Sequence, residues 1–404
     1  MTVTFQNMPL EFSLAEAAPS LWSRLPSQVQ AIAGEWMSTG SIPTADIVAP
    51  FHAPPFVKPR FHVRAMYRCV DGHGFDQGVI ALKGTETAAR DMRLALQTMT
   101  AGRPYVNRIE LFMYQEYKLP IAVRLREALL DARKALALNQ ALWTTFEEQA
   151  PIPVPLGVFR WPVEHQRAYE EELQKVLSDT GAEVAEQLQD SLGVLVYYFP
   201  RSPIRVRHLR HEKTSAYPDA AGRAERVRSW VELAARLMVA GYFPCTLDNQ
   251  RQGCCLSDQN VCVDGGFVDI DSIKRMSEIT DPGLFHGNLL LTVAMLAHSC
   301  AVYLSGEKTV ASHPAFEQVV TMHSIFGSNL AGALYLPAIW RDLTSALQRL
   351  IEAGHTVDKR LETLLKKDSG ADLLVELTSR LPGQSESSSE MTFHTSVKHP
   401  FEAP

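Results

Sequence analysis

The sequence predicts an α+β protein of two unequal lobes, a small strand-containing lobe followed by a mainly helical one. Three observations predict it. Strand-like runs (Phe61–Cys69, Gly78–Leu82, Leu192–Phe199) are confined to the first half. Helical patterning dominates from Leu284 to about Leu377. The chain has 404 residues, 46% hydrophobic and 21% charged, which is enough for more than one core of ordinary composition. The expected divisions are an N-terminal extension over residues 1–58, a small lobe over 59–190, a larger lobe over 191–380 and a disordered tail over 381–404.

The elements follow in order. Ser27–Gly40 reads as a helix stopped by Pro43. Pro50, Pro54, Pro55 and Pro59 then punctuate an extended entry segment. Phe61–Cys69 alternates apolar and polar residues, and Gly78–Leu82 is short and apolar. The glycine-containing segment between them predicts a hairpin. Ile121 to Phe146 is rich in Ala, Leu, Arg and Glu and predicts a long helix. The prolines 151, 153 and 155 end it, and the strand-like run Leu156–Trp161 follows. A charged helix over His165–Gln189 leads to the aromatic and β-branched strand Leu192–Phe199. Arg223–Gly241 is amphipathic and closes on a glycine suited to a helix C-cap. Residues 242–275 are loop-rich, an apolar helix covers 288–304, and the Ser-, Pro- and Glu-rich tail starts at Leu381.

Composition narrows the function classes. Lys and Arg number 39 against 45 Asp and Glu, a formal charge of −6. A weakly acidic chain lacks the cationic excess that nucleic-acid binding requires. The most apolar stretch, Leu289–Ala297, falls short of the ~20 residues a membrane span needs. The start, MTVTFQNMPLEF, has neither a basic segment followed by an apolar one nor the Arg-rich look of a transit peptide. A cytoplasmic protein is the resulting expectation, with neither membrane nor nucleic acid as partner. Cys245, Cys254, Cys255 and Cys262 lack the paired C-x2-C spacing of a zinc site. They read as small buried thiols in a reducing compartment.

Three segments carry chemistry. Lys83 ends the apolar run GVIALKG, where a strand fixes an ammonium beside a glycine-containing turn. That suits nucleotide phosphates, and it equally suits a solvated strand end. In Gln252–Ser272, Asn260 precedes a short apolar run, Asp264-Gly265-Gly266, and then Phe267-Val268-Asp269. A strand–turn–strand would bring Asn260 and Asp269 to one end of a hairpin, as hard oxygen ligands suited to Mg²⁺. Asp271 competes for that role, and a type I′ turn at Asp264-Gly265 with ordinary polar flanks is the plainer alternative. Finally, Arg201, Arg205, Arg207, Arg210 and Arg223 cluster in an otherwise acidic chain, as guanidiniums for phosphate or as a basic surface loop. His208 and His211 read as solvated, and Ser299-Cys300 as core.

Taken together and in order, these segments resemble the selenoprotein O family of pseudokinase-like adenylyltransferases. The residues concerned are Leu82-Lys83-Gly84, Ser202-Pro203-Ile204-Arg205-Val206, Glu232 to Tyr242, Leu256 to Asn260, and Asp269 nine positions after the asparagine. The resemblance covers roughly residues 60–275 and implies a protein-kinase-like two-lobed fold that uses ATP and Mg to transfer AMP to an acceptor on a protein or small molecule. It implies that Lys83 contacts phosphate, that Arg205 grips the nucleotide phosphates with Arg207 beside it, and that Asn260 and Asp269 hold the metal. A glutamate from the long helix would pair with Lys83, with Glu127, Glu147 and Glu116 as candidates. The family's acidic residue before the asparagine is Gln259 here, which leaves Asp258 as the catalytic candidate beside Asp269. Tyr198 stands where the family has an arginine, and Asp269-Ile270-Asp271-Ser272 replaces its D-Y-G-P. Phosphoryl transfer and an inactive scaffold that binds a partner protein are the competing functions.

Overall fold

The computed structural model describes residues 6–42, 65–70, 76–84, 122–178, 190–201, 205–206, 220–247, 252–256, 260–270, 272–305 and 330–366. The chain divides into two compact units. The first is Met1–Gln140 with Ile152–Ser202, and the second is Ala141–Pro151 with Pro203–Pro404. The strand Leu192–Phe199 belongs to the first unit. The proline cluster, His208, His211, Asp271 and the tail lie outside the described residues.

The first unit is built on an antiparallel sheet. Its strands are β1 (Leu10–Ser13), β2 (Ala65–Val70), β3 (Asp76–Lys83), β4 (Val123–Arg124), β5 (Val154–Arg160) and β6 (Leu192–Phe199), ordered β1-β5-β6-β3-β2 with β4 also on β6. The expected hairpin is β2–β3, with Met66 opposite Ala81. β6 lies centrally because every one of its residues is buried, as a strand covered on both faces requires. Across β3 and β6, Ile80 meets Tyr198 and Leu82 meets Val196. These side chains join Val154, Leu156 and Phe159 in one core with Leu14, Val29, Ala33 and Trp36. The latter come from α1 (Leu14–Ala17) and α3 (Ser27–Thr39), with the short α2 (Pro19–Trp22) between them. Residues 10–42 are thus not an appendage. β1 pairs with β5, and the helices seal one sheet face.

Strand alternation puts Val79, Ala81 and Lys83 on the other face, opposite Phe199, Tyr197 and Leu195. The helix α4 (Leu125–Phe146) follows β4, and the boundary between units falls within it. Its Leu125, Ala128, Ala132, Ala135, Leu138 and Leu142 are buried at helical spacing. Buried Asn139 donates to the Pro153 carbonyl at 2.8 Å, fixing the approach to β5. α5 (Val163–Ser178) covers the first part of the predicted charged helix.

The second unit packs α6 (Ala220–Val239), α7 (Pro282–Ser305) and α8 (Leu330–Glu352) against one another. The chain after α6 turns at Gly241, whose φ of 87° is left-handed as predicted for a C-cap. α7 is apolar on all sides, and its window Pro282–Cys300 is long and apolar enough to cross a membrane by length and composition. The shorter stretch read from sequence did not anticipate this. In the fold 72% of that window is buried, as in a central core helix. Two of its buried polar residues bond to carbonyls: Thr292 donates to that of Asn288, and Ser299 to that of Leu256.

Among the described residues, four short strands follow α6: β7 (Tyr242–Phe243), β8 (Cys245–Leu247), β9 (Gln252–Cys254) and β10 (Lys274–Arg275). β8 pairs with β9, and β10 with β7. α9 (Lys359–Lys366) brings in Arg360, which donates to the carbonyls of Met276 and Ile279. The same guanidinium pairs with Asp358 at 2.7 Å and stacks 4.1 Å over the Phe285 ring. It therefore ties α9 to the turn before α7.

Candidate functional site

In the first unit, Lys83 is fixed by an ion pair. Its ammonium donates to Oδ2 of Asp131, and the two side chains are only 13% and 12% exposed. The strand supplies the lysine because Lys83 is the last residue of β3, at the register position of Leu195. The helix supplies the carboxylate because Asp131 lies three residues after Ala128 and four before Ala135, on the buried side of α4.

The expected glutamates do not fill this role. Glu127 accepts from Arg124 at 2.9 Å, and that buried arginine also faces Asp190 at 3.7 Å. Glu147 is exposed just past the end of α4, in a left-handed backbone with φ 56°, its N–H bonded to the Trp143 carbonyl. It is a C-cap residue. Glu116 lies outside the described residues. Asp131 was missed because only glutamates were considered. The signal was present: Leu125, Ala128, Asp131, Ala132 and Ala135 form one stripe, and a carboxylate in an apolar stripe needs a cation.

In the second unit, Asn260 and Asp269 flank a hairpin. Val261 pairs with Phe267, and the Val268 N–H donates to the Asn260 carbonyl at 3.0 Å. The two candidate ligands therefore stand at its open end. The Gly265 N–H returns to the Cys262 carbonyl at 3.1 Å and the Cys262 N–H to Gly266 at 2.8 Å. Gly265 is left-handed at φ 93°, while Asp264 is not, so the alternative of a type I′ turn centred on Asp264-Gly265 does not hold. A three-residue connection with its glycine in the left-handed region replaces it.

Neighbouring groups hold the hairpin in place. The Phe267 N–H donates to the Pro151 carbonyl at 3.1 Å. A Cβ on Gly266 would lie 2.6 Å from that carbonyl oxygen, so only glycine fits. The Trp230 indole donates to the Cys262 carbonyl at 2.8 Å. Arg205 pairs with Cys262 through the backbone, and the Val206 N–H donates to the Val261 carbonyl at 2.9 Å. Arg205, Asn260 and Asp269 thus share one neighbourhood of this unit. Burial pushes the Cys262 thiol far above its ordinary range, the Asp264 charge adds to the shift and the Arg205 charge opposes it. Asp258 and Arg207 lie outside the described residues.

The donor set suits Mg²⁺. Mg²⁺ takes one or two protein oxygens and completes its shell with water and phosphate, so an amide and a carboxylate suffice. Among the described residues no group of three or more His, Cys, Asp or Glu converges, as a closed protein cage for a softer metal would need.

The cysteines depart in part from the sequence reading. Cys255, Cys262 and Cys300 are buried and in no disulfide, as expected of core thiols. Cys245 is disulfide-bonded, contrary to the expectation of thiols in a reducing compartment. No protein-family model matches the chain, and no curated protein matches it.

Proposed function

We propose that the chain is an ATP- and Mg-dependent nucleotidyltransferase on a protein-kinase-like two-lobed fold, moving AMP to a hydroxyl or carboxyl acceptor. The ion pair of Lys83 with Asp131 carries this reading. A strand lysine held by a carboxylate from the next long helix is how kinase-type catalytic cores keep an ammonium ready for nucleotide phosphates. The antiparallel order β2-β3-β6-β5, with α4 entering the sequence between β3 and β5, supports it. So does the hairpin with Asn260 and Asp269 at its open end.

In this reading Lys83 neutralises phosphate charge, Arg205 and Arg207 grip the phosphates, and Asn260 and Asp269 hold Mg. Asp258 takes the proton of the acceptor. The acceptor oxygen bonds to the α-phosphorus, the bond to the bridging oxygen breaks, and pyrophosphate leaves. Bound Mg²⁺ would spread the charge that develops on the phosphate oxygens. The choice of AMP over phosphate rests on the resemblance to selenoprotein O.

The test is intact-mass spectrometry after incubation with ATP and Mg²⁺, beside an Asp269→Ala variant. A gain of one AMP that the variant lacks is the expected result. A gain of one phosphate makes the chain a phosphotransferase. An unchanged mass, together with no thermal stabilisation by ATP and Mg²⁺, refutes nucleotide chemistry and leaves a scaffold.

A further inference from the structure

The β8–β9 hairpin carries a feature that nucleotide transfer does not use. Cys245 is buried and disulfide-bonded, whereas Cys255, Cys262 and Cys300 are in no disulfide. Across the β8–β9 ladder the residue directly opposite Cys245 is Cys254. Directly opposed residues of antiparallel strands have Cα atoms ~4.5–5.5 Å apart, within the range a disulfide spans.

We propose that Cys245 and Cys254 form a redox-sensitive clamp that holds the chain on either side of the Asn260–Asp269 hairpin. Residues on both flanks of that hairpin bond to β8 or to the residue before it. Thr246 of β8 donates its hydroxyl to the carbonyl of Ser272, three residues after Asp269. Beyond β9, the Cys255 N–H returns to the Pro244 carbonyl at 3.2 Å, and the Leu256 carbonyl accepts from Ser299 of α7. Asn260 follows four residues later. A covalent link across the ladder therefore restrains Cys255 on one flank of the Asn260–Asp269 hairpin and Ser272 on the other. Reduction loosens both flanks.

The step balances with a dithiol reductant: the sulfur–sulfur bond accepts two electrons and two protons to give two thiols, while the dithiol becomes a disulfide. Because Cys245 is buried, the reductant reaches the bond only when the hairpin opens, and reduction of the native chain is slow.

Two measurements test the clamp. Peptide mapping without reductant is expected to recover Cys245 and Cys254 in one linked product. Cys245 found reduced, or joined to Cys69, overturns the proposal. Hydrogen exchange then compares the oxidised chain with the chain reduced by dithiothreitol and alkylated, with Cys254→Ser as a second route to the open state. Exchange over residues 260–272 is expected to rise at least tenfold while β6 is unchanged. Equal exchange in the two states overturns the clamp. Faster exchange in β6 as well overturns it too, because the bond would then hold the whole fold. Neither measurement uses nucleotide, so a failure here is separate from a failure of ATP chemistry.

Discussion

Replacing Asp131 by Asn tests the pair on which the functional reading depends. The substitution keeps the size of the side chain and leaves the Lys83 ammonium without its counter-charge. Breaking a buried ion pair by removing one partner costs about 3–5 kcal/mol. Here roughly an eighth of each side chain still meets water, so the expected cost is lower, about 2–3 kcal/mol. Lys83→Met is expected to cost a similar amount. The double variant Lys83→Met/Asp131→Leu leaves no unpaired charge and is expected to recover most of the loss. Native-state hydrogen exchange over β3 reads the effect locally: a cost of 2–3 kcal/mol speeds exchange roughly 30- to 160-fold. Each variant is then heated with ATP and Mg²⁺. At a hundredfold excess over Kd a binding protein gains about 2.7 kcal/mol. The double variant is expected to regain exchange protection and still show no stabilisation by nucleotide. If it binds nucleotide as well as the parent chain, Lys83 is a structural residue and the reasoning fails. If the single variants exchange as slowly as the parent, the ion pair contributes nothing to be explained.

Three further outcomes follow from the geometry. Gly266→Ala drives a Cβ into the Pro151 carbonyl oxygen, and overpacking of about 1–3 kcal/mol should lower the urea midpoint of the second unit. An unchanged midpoint would mean the hairpin shifts freely. Glu147→Gly relieves a left-handed residue at the end of α4 and should raise stability by about 1 kcal/mol. A loss would mean that its carboxylate has a partner. The hydrogen bonds from Arg360 hold the Asp358 carboxyl below its ordinary value of 3.8. A carboxylate depressed on folding stabilises above its unfolded pKa, and that contribution fades as pH falls through the folded one. The stability gap between the parent chain and Asp358→Asn should therefore be flat at neutral pH and close below about pH 3.8. A gap that persists in stronger acid would assign the effect to packing.

What the sequence made legible follows from the range over which each signal acts. β3, β6 and α4 were found because their periodicity lies within a single element. The Asn260–Asp269 hairpin was found because two glycines mark its turn locally. β1 was missed because it is short and its partner β5 lies well over a hundred residues away. The Cys245 bond was misread because spacing along the chain does not reveal strand register, and only the ladder sets Cys245 opposite Cys254.

Asp131 is the more instructive miss. A glutamate was expected because the resemblance supplies one, and a longer side chain suits a helix that stands off from its sheet. On α4 the residues around Asp131 are Ala128, Ala132 and Ala135, all fully buried. These small neighbours leave room around the carboxylate, and the ion pair shows that an aspartate on this helix is long enough to reach Lys83. The alanines and the aspartate form one packing solution, in which exchanging Asp131 for the expected glutamate would crowd the pair it is meant to make.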